Sequence, residues 1–311
     1  MPELPEVQTT ANILNNLLPG LVISDIWTSY NSKFHTGKEN IKNPLYFSKF
    51  KKAVIGKKIV SVGRRGKNVL INLSSNITIL VHMKMTGHLL YGTYKRTNNQ
   101  QLTTNNKEAW EAVEPEELKD PFNRFIRLVF TLSNGKHLAF SDMRKFAKVF
   151  YFPTKEMEFI SDFKDMGPEP LLKNFGFEIF KKRLSKKPNG KIKQVLMDQT
   201  VISGIGNIYS DEILFESGVH PKSKVSAIPD KKLREIFNFT KSILKKGISL
   251  GGDSMSDYRN PYGKKGNFQN NHKAYRRTGG LCPQKECGGK IERLRVGGRN
   301  AHFCPKHQIL Y

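Results

Sequence analysis

The chain has 311 residues, about twice a usual single-domain length, so two domains with a small extra module are expected. Its 52 Lys+Arg against 27 Asp+Glu leave a formal charge of +25, while 20 Phe, 10 Tyr and 38% hydrophobic residues exclude intrinsic disorder. No run approaches about 18 uncharged apolar residues, which excludes a spanning helix, and the acidic opening Met1-Pro2-Glu3-Leu4-Pro5-Glu6 lacks the basic flank of a secretory signal; a soluble cytoplasmic protein that seeks a polyanion, nucleic acid foremost, remains.

Residues 5 to 18 read as a helix, with Val7, Ala11, Leu14 and Leu18 on one stripe and Pro19-Gly20 as its stop. From Leu21 to about Phe152 the period shortens. Short strands are predicted at 22–26, 58–62, 69–73, 77–82, 125–132, 137–141 and 147–152, separated by turns such as Ser133-Asn134-Gly135, the pattern of an antiparallel sandwich or barrel. Residues 95 to 120 form a polar stretch with four basic and six acidic residues, read as a long exposed insertion carrying a short helix near 107–113. After Gly167-Pro168-Glu169-Pro170 the spacing turns helical at 175–184, 191–197, 208–216 and 231–246, placing a boundary near 153 to 170. From Lys231 onward 18 basic residues face 5 acidic ones, a clustering suited to phosphate contact.

All three cysteines fall in the last tenth of the chain, an unpromising basis for disulfides. Cys282-x4-Cys287 and Cys304-x2-His307, each beside Pro or Gly, read as two knuckles of one closed Cys3His structural zinc site. His302 and His272 compete for the fourth position but sit in no two-residue knuckle.

Pro2 follows the initiator Met, and Met removal would leave a secondary amine able to form an iminium. Glu3 and Glu6 supply carboxylates for proton transfer. From these residues alone the simpler account is stronger: Pro5 opens a helix and the acids favour its dipole. Lys67 after Gly66 can reach a phosphate or be solvated. Met85 and the Arg144-Lys145-Phe146 run are core fillers in the usual case, or wedges that fill the gap left by an extruded nucleotide. Gly204-x-Gly206-Asn207 opens a helix, with Asn207 as a cap or an anion contact. Gly297-Gly298-Arg299 reads as a hairpin tip aiming Arg299 at a phosphate.

Taken in order, the opening hexapeptide, Gly66-Lys67, His82 through Gly87, Arg144-Lys145-Phe146, Gly167-Pro168-Glu169-Pro170, Gly204 through Tyr209 and the terminal knuckles resemble the formamidopyrimidine-DNA glycosylase family over residues 1 to 307. The resemblance implies an α+β fold: an N-terminal helix and antiparallel β-sandwich (1–155), a helix–two-turn–helix domain (168–270) and a β-hairpin zinc finger (271–311). It implies a nucleoid-associated glycosylase and lyase acting on oxidised purines in double-stranded DNA, with one structural zinc; a monomer is expected because the sequence carries neither a coiled-coil heptad nor a repeat. Pro2 matches the nucleophile, Glu3 the acid/base, Glu6 a supporting carboxylate and Lys67 a phosphate contact near the lesion. Met85, Arg144 and Phe146 match the void-filling side chains; Asn207 and Arg299 match the phosphate clamp, with Arg299 also serving the catalytic set and Lys191 joining the DNA contacts. The sequence departs from the family in the x4 spacing of the first knuckle, in His307 where cysteine is usual, and in Met255 where threonine is common. The alternatives are an endonuclease VIII-like enzyme for oxidised pyrimidines and a non-catalytic DNA-binding relative.

Overall fold

The computed structural model describes residues 1–97 and 109–311. They form two compact units, one of Met1–Pro2, Glu6–Ile160 and Gly251–Asn267, the other of Glu3–Pro5, Ser161–Leu250 and Phe268–Tyr311.

The first unit opens with α1 (Leu4–Leu17), whose buried Val7, Ala11 and Leu14 recur at helical spacing. Then come β1 (Ile23–Thr28), α2 (Pro44–Val54), β2 (Ile59–Arg65), β3 (Asn68–Leu73), β4 (Ile77–His82), β5 (His88–Thr97), β6 (Ala109–Glu114), β7 (Ile126–Leu132), β8 (His137–Ser141) and β9 (Lys148–Pro153). They make a five-stranded sheet in the order β1-β7-β8-β5-β6 and a four-stranded sheet in the order β2-β3-β4-β9. Every pairing is antiparallel. Fully buried Phe50 of α2 joins the layers, its ring 6.3 Å from Phe130 of one sheet and 6.0 Å from Tyr151 of the other. The polar stretch departs from expectation: in place of a helix near 107–113, Ala109–Glu114 form β6, paired with Thr93–Thr97, because Trp110 buries its ring on that sheet, and a 3-10 turn follows at Glu116–Lys119. Residues 107 and 108, where that helix was to begin, lie outside the described residues. Residues 251–267 return to this unit, with Tyr91 N donating to Pro261 O at 2.8 Å.

The second unit contains α3 (Ser161–Lys164), α4 (Phe177–Leu184), α5 (Ile192–Met197), α6 (Asn207–Glu216), α7 (Asp230–Ser249) and the hairpin β10 (Glu292–Val296) and β11 (Arg299–Phe303). One apolar cluster, including Phe180, Leu196, Tyr209, Leu214, Ile236 and Leu244, knits the helices together. A smaller one of Phe215, Ala274, Ile291 and the cysteines Cys282 and Cys304 seats the hairpin. No described helix is long and apolar enough to cross a membrane.

Candidate active site, phosphate contacts and metal centre

The geometry starts at Glu3, 2% exposed. Its carboxylate accepts from the backbone N–H of Ile208 at 3.0 Å and of Tyr209 at 3.4 Å, the first turn of α6. A helix begins with N–H groups that have no partner within it and with a positive dipole end, so a carboxylate is held there firmly. The carboxylate at this helix end is that of Glu3. Gly206 makes the approach possible: a Cβ there would lie 2.3 Å from Glu3 Cδ. Leu4 N donates to Gly204 O at 3.0 Å, fastening the opening segment to the glycine turn. Asn207 is not the cap. Gly206 is the N-cap and Asn207 the first helical residue, its side-chain Oδ1 buried without a hydrogen-bond partner among the described residues.

Pro2 is buried and chain-adjacent to Glu3, so their Cα atoms are about 3.8 Å apart. Glu6 is 1% exposed; its Oε1 accepts from Asp253 N at 2.7 Å, and Tyr258 donates from its phenol to Glu6 O at 3.0 Å. Glu6 thus anchors the returning segment 251–267 and acts as a structural carboxylate. Met255, the variant position in that segment, is 42% exposed. Lys67 occupies the tight turn between β2 and β3, where Arg65 pairs with Asn68. Arg64 stiffens the turn by donating to Gly66 O at 2.8 Å and to Gln8 Oε1 at 2.9 Å. Burial, with Lys84, Lys67 and Lys148 nearby, pushes the His82 pKa down to about 3, so this imidazole stays neutral and accepts from Lys84 N.

The two loops carrying the void-filling candidates meet at Asp142, which is fully buried. Its carboxylate accepts from Thr86 Oγ1 at 2.7 Å, Tyr30 Oη at 2.8 Å and Ala147 N at 3.0 Å. Arg144 N in turn donates to Thr86 Oγ1 at 3.1 Å. Met85 and the 144–146 run are thereby tied together, with Arg144 and Phe146 exposed, the guanidinium 4.4 Å from the Phe146 ring centroid, and Met85 half-buried. Motif reading singled out the exposed residues and passed over the buried hub. Tyr30 and Thr86 carry no sequence signal; Asp142, a carboxylate beside a basic run, was the available hint.

In the second unit, Arg299 starts β11 and is exposed at the hairpin tip. The tip rests on α5: Gly297 has φ +53°, and a Cβ there would lie 1.9 Å from Gln194 Nε2. Lys191, exposed, is the residue before α5. Asp211 of α6 ties the hairpin to the helices. Its carboxylate accepts from His302 N at 3.0 Å and lies 2.9 Å from His302 Nδ1, and it is hydrogen-bonded to Lys193 Nζ. Lys193 and Asp211 side chains are wholly buried. Burial lowers the Lys193 pKa, opposed by the charges of Asp211 and Glu3. The helix bearing Asn207 and the strand bearing Arg299 are thus joined through the Asp211–His302 contact, and the buried Lys193–Asp211 pair ties α5 to the same point.

The Sγ atoms of Cys282, Cys287 and Cys304 lie within 4.8 Å of one another. Cys287 and Cys304 are 3.7 Å apart, matching the edge of a tetrahedron with Zn–S bonds of about 2.3 Å. The donor set and spacing fit one structural zinc. His307 is not in the cluster. Its Nε2 lies 2.8 Å from Phe215 O, a carbonyl at the end of α6 that also accepts from Gly218 N at 3.1 Å.

A helix–sheet N-terminal unit, a glycine-opened helical unit and a thiol-gathered hairpin define a zinc-bearing DNA-repair glycosylase architecture. Three family descriptions match in chain order: the formamidopyrimidine-DNA glycosylase N-terminal domain over 1–149, its H2TH domain over 166–259, and the zinc finger found in FPG and IleRS over 279–306. The formamidopyrimidine-DNA glycosylase of Pelotomaculum thermopropionicum is 35% identical over 99% of both chains, and that of Bacillus subtilis is 33% identical over the same share of both. Among solved structures, a complex of the Lactococcus lactis Fpg with abasic-site DNA aligns with TM-score 0.79 at 28% identity over 98% of this chain and 99% of that one. A complex of a variant of that enzyme with Fapy-dG-containing DNA aligns with TM-score 0.79 at 29% identity, covering 99% of each chain. This chain belongs to the formamidopyrimidine-DNA glycosylase family, enzymes of base-excision DNA repair.

Proposed function

We propose that this enzyme releases oxidised purines from double-stranded DNA and then cuts the strand through an imine formed on Pro2. The observation that carries the reading is the Glu3 carboxylate, fixed by two backbone N–H groups at the start of α6 and covalently next to Pro2. Once Met1 is removed, the Pro2 secondary amine, titrating nearer neutrality than a lysine, attacks C1′ of the damaged nucleotide as the C1′–N bond to the base breaks. The departing base keeps the electron pair of that bond and is protonated from solvent, while Glu3 takes the proton from the newly formed C1′–ammonium and hands it to the ring oxygen as the sugar opens, leaving a cationic iminium. The iminium acidifies the C2′ hydrogen; its loss expels the 3′ phosphate, and a second elimination expels the 5′ phosphate. Flipping the nucleotide costs a few kcal/mol, offset in part by Met85, Arg144 and Phe146 entering the vacated stack. Lys67, Lys191, Asn207 and Arg299 bind backbone phosphates. The solved relatives holding abasic and Fapy-dG DNA support this substrate class.

Cys282, Cys287 and Cys304 would hold a zinc ion, which would supply a rigid cross-link at the base of the hairpin that presents Arg299. His307 would be the fourth ligand in this reading, which requires its imidazole to move onto the thiol cluster from where the structure places it. Its Nε2 gives its hydrogen to the Phe215 carbonyl, the tautomer that leaves Nδ1 with a lone pair.

Borohydride trapping on a panel of lesion duplexes tests the reading. The expected product is a covalent adduct at Pro2, strongest with 8-oxoguanine opposite cytosine. Normal trapping by Pro2→Gly through a lysine would overturn the nucleophile; dominant activity on thymine glycol would move the enzyme to the oxidised-pyrimidine branch.

A further inference from the structure

Much of the basic excess that begins at Lys231 lies on α7, and none of the phosphate contacts proposed above is there. That helix holds six basic and two acidic residues, and both acids are engaged: Asp230 by Lys181 of α4, Glu235 by Lys232 at 2.6 Å. Lys231, Arg234, Lys241 and Lys245 make no ion pair among the described residues, and all but the half-buried Lys241 are exposed. At about 100° per residue they fall within an arc of about 80°, along about 21 Å of helix axis. Lys241 and Lys245, one turn apart on that face, repel each other.

Two of the four cations are held in place by aromatic rings. The Arg234 guanidinium lies 3.9 Å from the Phe177 centroid and Lys241 Nζ 4.7 Å from that of Phe237. Phe237 is itself fixed against Phe175 at 6.1 Å, Phe177 at 5.9 Å and Phe180 at 5.6 Å. The far side of α7 is the buried one, with Leu233, Ile236, Thr240 and Leu244. Gly247, about 150° round the helix from the middle of the row, packs on Tyr209 and Pro5. A Cβ there would lie 2.7 Å from Tyr209 Cε1 and 2.9 Å from Pro5 Cγ. With the lesion at Pro2 and a phosphate at Asn207, as proposed above, the damaged duplex meets the side of α7 that the row faces away from.

We propose that this row is a second, sequence-independent site for duplex DNA, so that one molecule holds an undamaged segment while another segment occupies the lesion site. Cations lined along one face of a rigid helix, with no free acid among them, complement the phosphate row of a duplex. About 21 Å of axis spans about six steps of 3.4 Å. Lysine and arginine on phosphates carry no sequence information, so any undamaged stretch serves. DNA is also the polyanion this enzyme meets continuously, because its substrate is one long polymer.

The full-length zinc-loaded enzyme is first saturated with a duplex bearing a non-cleavable abasic analogue. A labelled undamaged duplex is then titrated by anisotropy, with sedimentation velocity reporting the composition of the complex. The expected result is one enzyme with two duplexes, the second binding with a log–log salt slope of about −3.6 for four phosphates. Lys231→Gln/Lys245→Gln, which disturbs neither ring contact, should flatten that slope by about 1.8. Glutamine at all four positions should abolish the second site. Affinity for the abasic analogue and the excision rate should stay at parent values in both variants, which also shows that they fold. The assay involves no chemistry at Pro2, so its outcome is independent of the borohydride trap. A complex with a single duplex only, or a fourfold variant that binds the second duplex as its parent does, would overturn the proposal. So would an equal loss of affinity for the abasic analogue, or tighter binding to phosphatidylglycerol vesicles than to the duplex at the same salt.

Discussion

Replacing Gly206 with alanine tests whether the position of Glu3 controls the chemical step. The added methyl carbon would sit 2.3 Å from Glu3 Cδ and 2.4 Å from its Oε1, where ordinary contact begins near 3.4 Å. The carboxylate or the first turn of α6 must therefore retreat by about 1 Å, enough to break the hydrogen bonds to Ile208 and Tyr209. Each bond to a charged acceptor is worth about 1.5–3 kcal/mol, and a displacement of this size costs about 100-fold in rate when it falls on a proton-transfer group. Single-turnover excision on an 8-oxoguanine duplex should fall by about that factor. Affinity for a non-cleavable abasic analogue should fall much less. Glu3→Gln supplies the decisive control, because it removes the proton without adding bulk. If Gly206 acts through Glu3, the double variant should be no slower than Glu3→Gln alone. Losses that multiply would refute the reasoning, as would a Gly206→Ala enzyme of full activity.

Acid should weaken the first unit through His88, which is 1% exposed and bonded through Nε2 to Asn123 Oδ1 at 2.9 Å. Burial pushes its pKa from 6.5 to about 4. The unfolded chain then takes up a proton that the native state refuses, so stability is whole above pH 6.5 and declines by about 3 kcal/mol towards pH 4; urea unfolding of His88→Gln should show a flatter slope across that window. Asp211→Asn should destabilise the second unit by about 3–5 kcal/mol by leaving the Lys193 charge buried and alone, and denaturant midpoints should recover most of the loss in the Lys193→Met/Asp211→Asn pair. Metal analysis should find one zinc per chain, none in Cys287→Ser, and a more readily chelated ion in His307→Ala.

Sequence pattern reached α1, α4 and α7 because each carries an apolar stripe against a polar face, and it reached α6, which is buried nearly all round, through the glycine turn that opens it. Strands β3, β4, β7 and β8 were also legible, being short β-branched or aromatic runs closed by turn residues. Strand β5 was not, since its first five residues are all buried and show no alternation. Strand β6 reads locally like a helix, and only its partner strand decides otherwise. Helix α2 escaped because its lysines mask the buried Tyr46, Phe50 and Val54. At the site, motifs locate the side chains that face outward but not their supports. The bond from Glu3 to the start of α6 spans 205 positions, and Asp142 and Asp211 likewise act on residues distant in sequence.

The shared anchor of the void-filling loops has a bearing on how this enzyme can vary. Arg144 and Phe146 project outward, and exchanging either one disturbs little beyond their contact with each other. Asp142 serves Tyr30, Thr86 and Ala147 at once, and through Thr86 it also sets Arg144. A saturation screen scored on repair should therefore find position 142 as intolerant as the nucleophile, although its carboxylate never reaches solvent or DNA. Lesion preference can drift by trial at the tips of these loops, while the bracket that aims them admits almost no revision.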